Sequence, residues 1–229
     1  MIRSPFGLLK PYEDLLEISL ITREDAVYDD KGIASVLEAE HLASLKQVHG
    51  NRTTFVEEET IGTEEADGMI TDTLNLTLAI RSADCQTFAV YAPSTHVTGV
   101  LHVGWKGLLH DAIPAWIALF CRTFRVTPSE VLIVAGPSLC KRCAEFTDPL
   151  QELKGIDPKF FEGRNVDLQG IAEDQFFALG IKPEHFERYP GCTKCEPETY
   201  WSYRADKEKV GEGYRNVLAV KLVMSEISE

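Results

Sequence analysis

No stretch of this chain approaches the ~20 consecutive apolar residues that a membrane span requires. The opening MIRSPFGLLKPYEDLLE also lacks the long apolar core of a secretory signal. A cytoplasmic protein with reduced thiols is therefore the expectation. The sequons Asn51-Arg52-Thr53 and Asn75-Leu76-Thr77 then carry no glycan, because glycosylation needs secretion. Basic residues are scarce: 23 Lys and Arg stand against 36 Asp and Glu, a net charge of −13. That excess repels nucleic acid and anionic membranes, so neither is an expected partner. It does not exclude a small anionic ligand, which responds to the local field of a pocket. Internal repeats and low-complexity linkers are absent, and the acidic run Glu57–Glu65 reads as a solvated surface loop.

What is present is ordinary globular material, 44% hydrophobic and 26% charged. At 229 residues the chain can bury one sizeable core, and residues 1–229 are expected to form a single catalytic domain of the α/β class. The stretch Leu76–Gly107 organises it. Leu76–Ile80, Phe88–Tyr91 and Val97–Val103 are short apolar runs bounded by turn residues, which predicts three buried strands. Further strands are expected at Leu15–Thr22, Thr53–Val56, Glu130–Ala135, Tyr200–Tyr203 and Asn216–Val223. Helical spacing predicts helices over Ile33–Leu45, Leu108–Phe124 and Asp167–Leu179, the last capped by Asp167 and stopped at Gly180.

Chemistry gathers at the ends of the central strands. Arg81, Asp84 and Cys85 follow the first, and His102 ends the third, just before Gly104-Trp105-Lys106-Gly107. His49 lies upstream in Lys46-Gln47-Val48-His49-Gly50. Zinc accepts imidazole nitrogen and thiolate together, and three protein ligands leave a fourth position for water or substrate. The separations are too long for a local metal motif. By residue type alone, His49, Cys85 and His102 read sooner as a buried free cysteine and two histidines at strand ends. Asp67 and Asp84 read either as turn caps or as carboxylates that orient a ligand histidine. Arg23, Arg81 and Lys106 sit at or just beyond predicted strand ends, where a basic cluster would bind phosphate. Cys140-Lys-Arg-Cys143 and Cys192-Thr-Lys-Cys195 are two C-x-x-C pairs about 48 residues apart. That gap is longer than a typical zinc ribbon's, and both a second metal site and disulfides stay open.

The segments KQVHG, ADGMIT, IRSADC, LHVGWKG, GPSL and CT…WSYR, in this order, resemble the multicopper polyphenol oxidase (laccase) family, also described as purine nucleoside phosphorylases. The resemblance runs from about Thr22 to the C-terminus. It implies that His49, Cys85 and His102 bind a metal ion, usually zinc, with copper as the alternative. It implies a mixed β-sandwich with flanking helices (an α/β or α+β fold), distantly like the cytotoxic necrotizing factor deamidase with its Cys-His site. It also implies phosphorolysis of adenosine, inosine, guanosine and methylthioadenosine to base and ribose 1-phosphate, together with deamination of adenosine. The expected partners are therefore purine nucleosides and phosphate. Copper-dependent phenol oxidation, Cys-His hydrolysis with Cys85 as nucleophile, and a non-enzymatic metal-bound module are the competing readings. Where the family usually has GWRG this chain has GWKG, so Lys106 replaces the bidentate fork of an arginine with a point charge.

Overall fold

A computed structural model describes residues 1–224. Its strands, in chain order, are β1 (Ile2–Arg3), β2 (Leu16–Ile21), β3 (His41–Ala43), β4 (Thr53–Phe55), β5 (Gly68–Thr71), β6 (Leu76–Ser82), β7 (Gln86–Ala92), β8 (Val97–Val103), β9 (Leu132–Ala135), β10 (Phe161–Glu162), β11 (Asn165–Val166), β12 (Phe186–Arg188) and β13 (Asn216–Leu222). The α-helices are α1 (Asp30–Leu37), α2 (Trp105–Leu109), α3 (Ala112–Phe124), α4 (Pro149–Glu152), α5 (Leu168–Ala178) and α6 (Lys207–Gly211). One sheet has five strands in the order β1-β2-β13-β6-β3, and the other has six in the order β12-β9-β7-β8-β5-β4. β10 and β11 form a separate small ribbon. Among the described residues no helix is long and apolar enough to cross a membrane.

Two-residue periodicity sorts the central strands between two cores. Every residue of β7 and β8 is buried. Phe88, Val90, Leu101 and Val103 point to one side, where they pack with Trp116 and Phe120 of α3 and Phe176 of α5. Ala89, Tyr91 and Val100 point to the other and meet Ile18, Leu20, Leu78, Ile80 and Val220 of the five-stranded sheet. A third cluster closes the outer face of that sheet, with Ile33 of α1 over Ile21, Ala79, Val217 and Ala219. The result is the mixed sandwich with flanking helices that the resemblance implies. Gly99 of β8 is essential to the close pairing of β8 with its neighbour β5 inside the six-stranded sheet. A Cβ there would lie 2.6 Å from the Met69 carbonyl oxygen of β5.

Several element boundaries differ from expectation. Asp29 caps α1 by accepting from the Gly32 N–H at 2.8 Å, but the helix ends at Leu37, not Leu45. Glu38 takes a left-handed conformation (φ 53°) and closes it, and Leu42 then pairs in parallel with Thr77. The expected helix Leu108–Phe124 is two, α2 and α3, separated at Asp111 with φ 55°. Tyr200–Tyr203 is not a strand: Asn216 takes over its backbone, accepting from the Trp201 N–H at 2.9 Å and donating to the Trp201 carbonyl at 2.8 Å. The cap and stop expected for the Asp167–Leu179 helix are in place, with the Gly170 N–H on Asp167 at 2.9 Å and Gly180 at φ 95°.

Candidate active site

Three chain segments deliver the thiol and the imidazoles. Cys85 sits on the tight turn from β6 to β7, which forces Asp84 to φ 92°. That turn is pinned from outside: the Thr193 hydroxyl and the Arg204 N–H each donate to the Asp84 carboxylate at 2.8 Å. His102 is carried by β8, opposite Thr87 of β7. His49 lies in the loop after β3, itself left-handed at φ 61°. Gln47 locks that loop to β6, donating to the Arg81 carbonyl at 2.8 Å and accepting from the Arg81 N–H at 3.0 Å. Non-glycine residues held at positive φ on both sides of one cluster mark stored strain, which functional sites concentrate.

Asp67 is the common support. Its fully buried carboxylate accepts from His102 Nδ1 at 2.9 Å and from the backbone N–H groups of Val48, His49 and Gly50 at 3.2, 3.0 and 2.7 Å. One carboxylate thus fixes His102 Nδ1 and the path of the chain through His49, and turns His102 Nε2 toward Cys85. Burial alone would raise the Asp67 pKa, but the hydrogen bonds from His102, Gly50 and His49 outweigh it and hold it below the ordinary value. Gly104 lets the backbone close against the cluster: a Cβ there would lie 3.0 Å from Cys85 Sγ and 3.1 Å from His49 Cδ2.

The donor atoms of His49, Cys85 and His102 lie within 4.8 Å of one another. The two imidazole rings meet edge-to-face, with centroids 4.8 Å apart. Burial favours the neutral thiol, but hydrogen bonds with His102 and then His49 bring the Cys85 pKa down to about 6. Burial likewise disfavours the imidazolium, yet the bonds to Asp67 and Cys85 push His102 up to about 9. Two imidazoles and a thiolate are borderline-soft donors of the kind that zinc and copper both accept.

The cluster opens into a cleft of about 1060 Å³. Five cationic side chains line it, namely Arg81, Lys194, Arg204, Lys207 and Arg215, against the carboxylates of Asp84 and Glu145. Among the described residues, none of the five is in a salt bridge. Arg81 and Arg215 are tied instead to carbonyls, Arg81 Nη2 to Gly213 O at 2.8 Å and Arg215 Nη1 to Val210 O at 2.6 Å. The Arg81 Nε is buried with no partner. Burial, and then the neighbouring Arg81 charge, press the Arg215 pKa below its ordinary value. Like charges gathered outside any salt bridge among the described residues make a seat for an anion. Trp105, Phe146, Tyr28 and Tyr203 supply aromatic wall.

Of the three basic residues expected at the pocket, only Arg81 lines it. Arg23 lies in a 3-10 turn, with its guanidinium 4.1 Å from the Trp201 ring centroid and paired to Asp206 at 3.1 Å. Lys106 is exposed on α2, its Nζ 5.6 Å from the Trp105 ring centroid. Nearness to a strand end does not choose a direction, and the turn into α2 points Lys106 outward. The arginines that replace them, Arg204 and Arg215, lie in the stretch from WSYR to Gly213-Tyr214-Arg215. Their signal was visible as a motif, but without a position relative to the cleft.

A family model described as multi-copper polyphenol oxidoreductase laccase matches residues 24–219. A purine nucleoside phosphorylase of Rickettsia conorii is 28% identical over 166 residues, 72% of this chain and 63% of that protein. The chain thus spans under two thirds of the length of the Rickettsia relatives it matches. The purine nucleoside phosphorylase YlmD of Geobacillus stearothermophilus is 24% identical over 210 residues, 82% of this chain and 77% of that one. In three dimensions, the solved structure of YlmD from Geobacillus stearothermophilus aligns with a TM-score of 0.80 at 20% identity, covering 96% of this chain and 94% of that one. A hypothetical protein, YfiH, of Bacillus licheniformis aligns equally well, with a TM-score of 0.80 at 20% identity over 96% of this chain and 99% of its own. At that identity, the shared property is the fold.

Proposed function

The chain belongs to the multi-copper polyphenol oxidoreductase laccase family, and from that premise we propose that it is a purine nucleoside phosphorylase. In this reading residues 1–229 act as one catalytic domain on adenosine, inosine, guanosine and methylthioadenosine, with deamination of adenosine as a second reaction. An oxygen of hydrogenphosphate forms a bond to C1′ of the ribose while the bond from C1′ to the purine nitrogen breaks, and the hydrogenphosphate proton ends on the departing nitrogen, giving base and ribose 1-phosphate. The observation that carries the reading is the set of five cations, none in a salt bridge among the described residues, that line one cleft with the thiol–imidazole cluster in a chain of net charge −13. The names of the Rickettsia and Geobacillus relatives support it.

His49, Cys85 and His102 are the proposed ligands of a zinc ion. The fit rests on three donors within 4.8 Å, the Gly104 position that a Cβ would fill, and the Asp67 bond that turns His102 Nε2 into the cluster. Bound there, zinc supplies Lewis acidity and brings the pKa of a bound water toward about 7, which deamination requires. Arg81 and Arg215 hold phosphate, with Arg204, Lys194 and Lys207 adding positive field as negative charge approaches C1′. The aromatic wall excludes water and receives the purine face. Arg23 and Lys106, the other two residues expected at phosphate, have no role in this reading.

The same His₂Cys donor set suits copper, which is what favours phenol oxidation as the second reading. One experiment separates the two. Adenosine is incubated with and without phosphate and the products are resolved. Ribose 1-phosphate and adenine that appear only with phosphate support the proposal. Metal analysis dominated by copper, with oxygen consumed on phenols and no nucleoside turnover, sinks it.

A further inference from the structure

Four more cysteines converge outside the thiol–imidazole cluster. Cys140 and Cys143 lie on the turn after β9, and Cys192 and Cys195 on the loop after β12. All four are free, and their sulfurs lie within 4.8 Å of one another. Cys195 Sγ is 3.8 Å from Cys140 Sγ and 3.4 Å from Cys143 Sγ. A tetrahedral site with metal–sulfur bonds of about 2.3 Å has sulfur–sulfur edges of about 3.8 Å. The spacing is thus that of ligands about one centre.

The surroundings suit thiolates. The Cys140 N–H donates to Cys192 Sγ at 3.3 Å, a backbone bond that an anionic sulfur strengthens. The first C-x-x-C is folded as a tight turn, with the Cys143 N–H on the Cys140 carbonyl at 2.9 Å. Charge points the same way. Four thiolates around a divalent ion carry two net negative charges. Arg142 and Lys194 occupy positions inside the two turns, in a chain where acids outnumber bases; Lys141, also there, is paired with Glu162 at 2.9 Å.

We propose that Cys140, Cys143, Cys192 and Cys195 form a closed four-thiolate zinc site that staples together the two loops forming the basic wall of the cleft. Lys194, inside the second pair, lines the cleft. Its neighbour Thr193 holds the Asp84 carboxylate, and Arg204 donates to the Cys143 carbonyl at 3.1 Å. A site with all four positions taken by protein has no vacancy for substrate, so its part is to fix this wall. The site stands whether or not the cleft cleaves nucleosides.

The test counts metal in protein purified under reductant without chelator. Cys140→Ser/Cys195→Ser is expected to lose one equivalent of zinc per chain. His49→Ala/Cys85→Ala/His102→Ala is expected to keep one. Exchange of that retained zinc for cobalt should give intense sulfur-to-cobalt charge-transfer bands, because no cysteine of the cleft remains to produce them. A triple variant that binds no zinc and shows no such bands overturns the proposal, as does unchanged zinc in the double cysteine variant. Should the cysteine variant fail to fold, the triple variant decides alone, and it does so independently of any nucleoside assay.

Discussion

Replacing Asp67 by asparagine removes one charge and keeps the shape, so it isolates what that carboxylate does. Its two oxygens accept four hydrogen bonds, His102 and His49 on Oδ1, Val48 and Gly50 on Oδ2. An amide offers one oxygen. In either orientation its NH₂ faces two donors, so two buried bonds are lost. At about 1.5–3 kcal/mol for each bond to a charged group, the gross loss is roughly 3–6 kcal/mol before the loop relaxes. With the amide oxygen toward His102, the His49 loop loses its anchor at Val48 and Gly50. With it turned away, the His102 proton is no longer held on Nδ1, and Nε2 ceases to be a dependable donor. Either way zinc affinity at the cleft should fall about 10–100-fold, the usual cost of losing such an orienting partner. Competition against a chromophoric chelator measures it, with circular dichroism verifying the fold. The four-cysteine cluster is unaltered, so the weakened equivalent must be the one lost in the Cys85→Ala control. Unchanged affinity in a folded Asp67→Asn protein would refute the idea that Asp67 orients a metal site.

Arg215→Met should raise the KM for phosphate about 10–100-fold at constant zinc content, as losing a charge-assisted contact of about 1.5–3 kcal/mol does, whereas Lys106→Ala should leave it unchanged; steady-state kinetics over a phosphate series checks both. In metal-free protein, alkylation of Cys85 should rise with pH through about 6 and be near its plateau at neutrality, where a thiol of ordinary pKa 9.0 would still be mostly protonated. The sign follows from the depressed pKa: the folded state favours the thiolate, and the stability this contributes is present above the unfolded value and lost as pH falls through about 6. Mass spectrometry of iodoacetamide-labelled peptides reads the profile. Gly99→Ala should destabilise the protein by roughly 1–3 kcal/mol in denaturant melts, since its Cβ would lie 2.6 Å from a backbone oxygen that β5 cannot easily move.

Local pattern determined much of this protein. The apolar runs that became β6, β7 and β8 were legible because buried strands need continuous apolar residues, and the cap at Asp167 and stop at Gly180 because both act within one helical turn. The motifs KQVHG, SADC and HVGW were legible as motifs, and each residue in them has a local reason: Gln47 clamps Arg81, Asp84 holds the turn, and Gly104 admits the close approach of Cys85. Direction and long-range closure were not legible. Arg81 and Lys106 looked alike at strand ends, but a carbonyl pair holds one in the cleft while a helix start turns the other to solvent. Arg215 joins the site only because β13 lies beside β6 in the sheet, a pairing that no local pattern encodes. The two C-x-x-C pairs, 48 residues apart, were ambiguous for the same reason. Their sulfurs meet only because β12 pairs in parallel with β9, bringing the loops that follow both strands to the same end of one sheet.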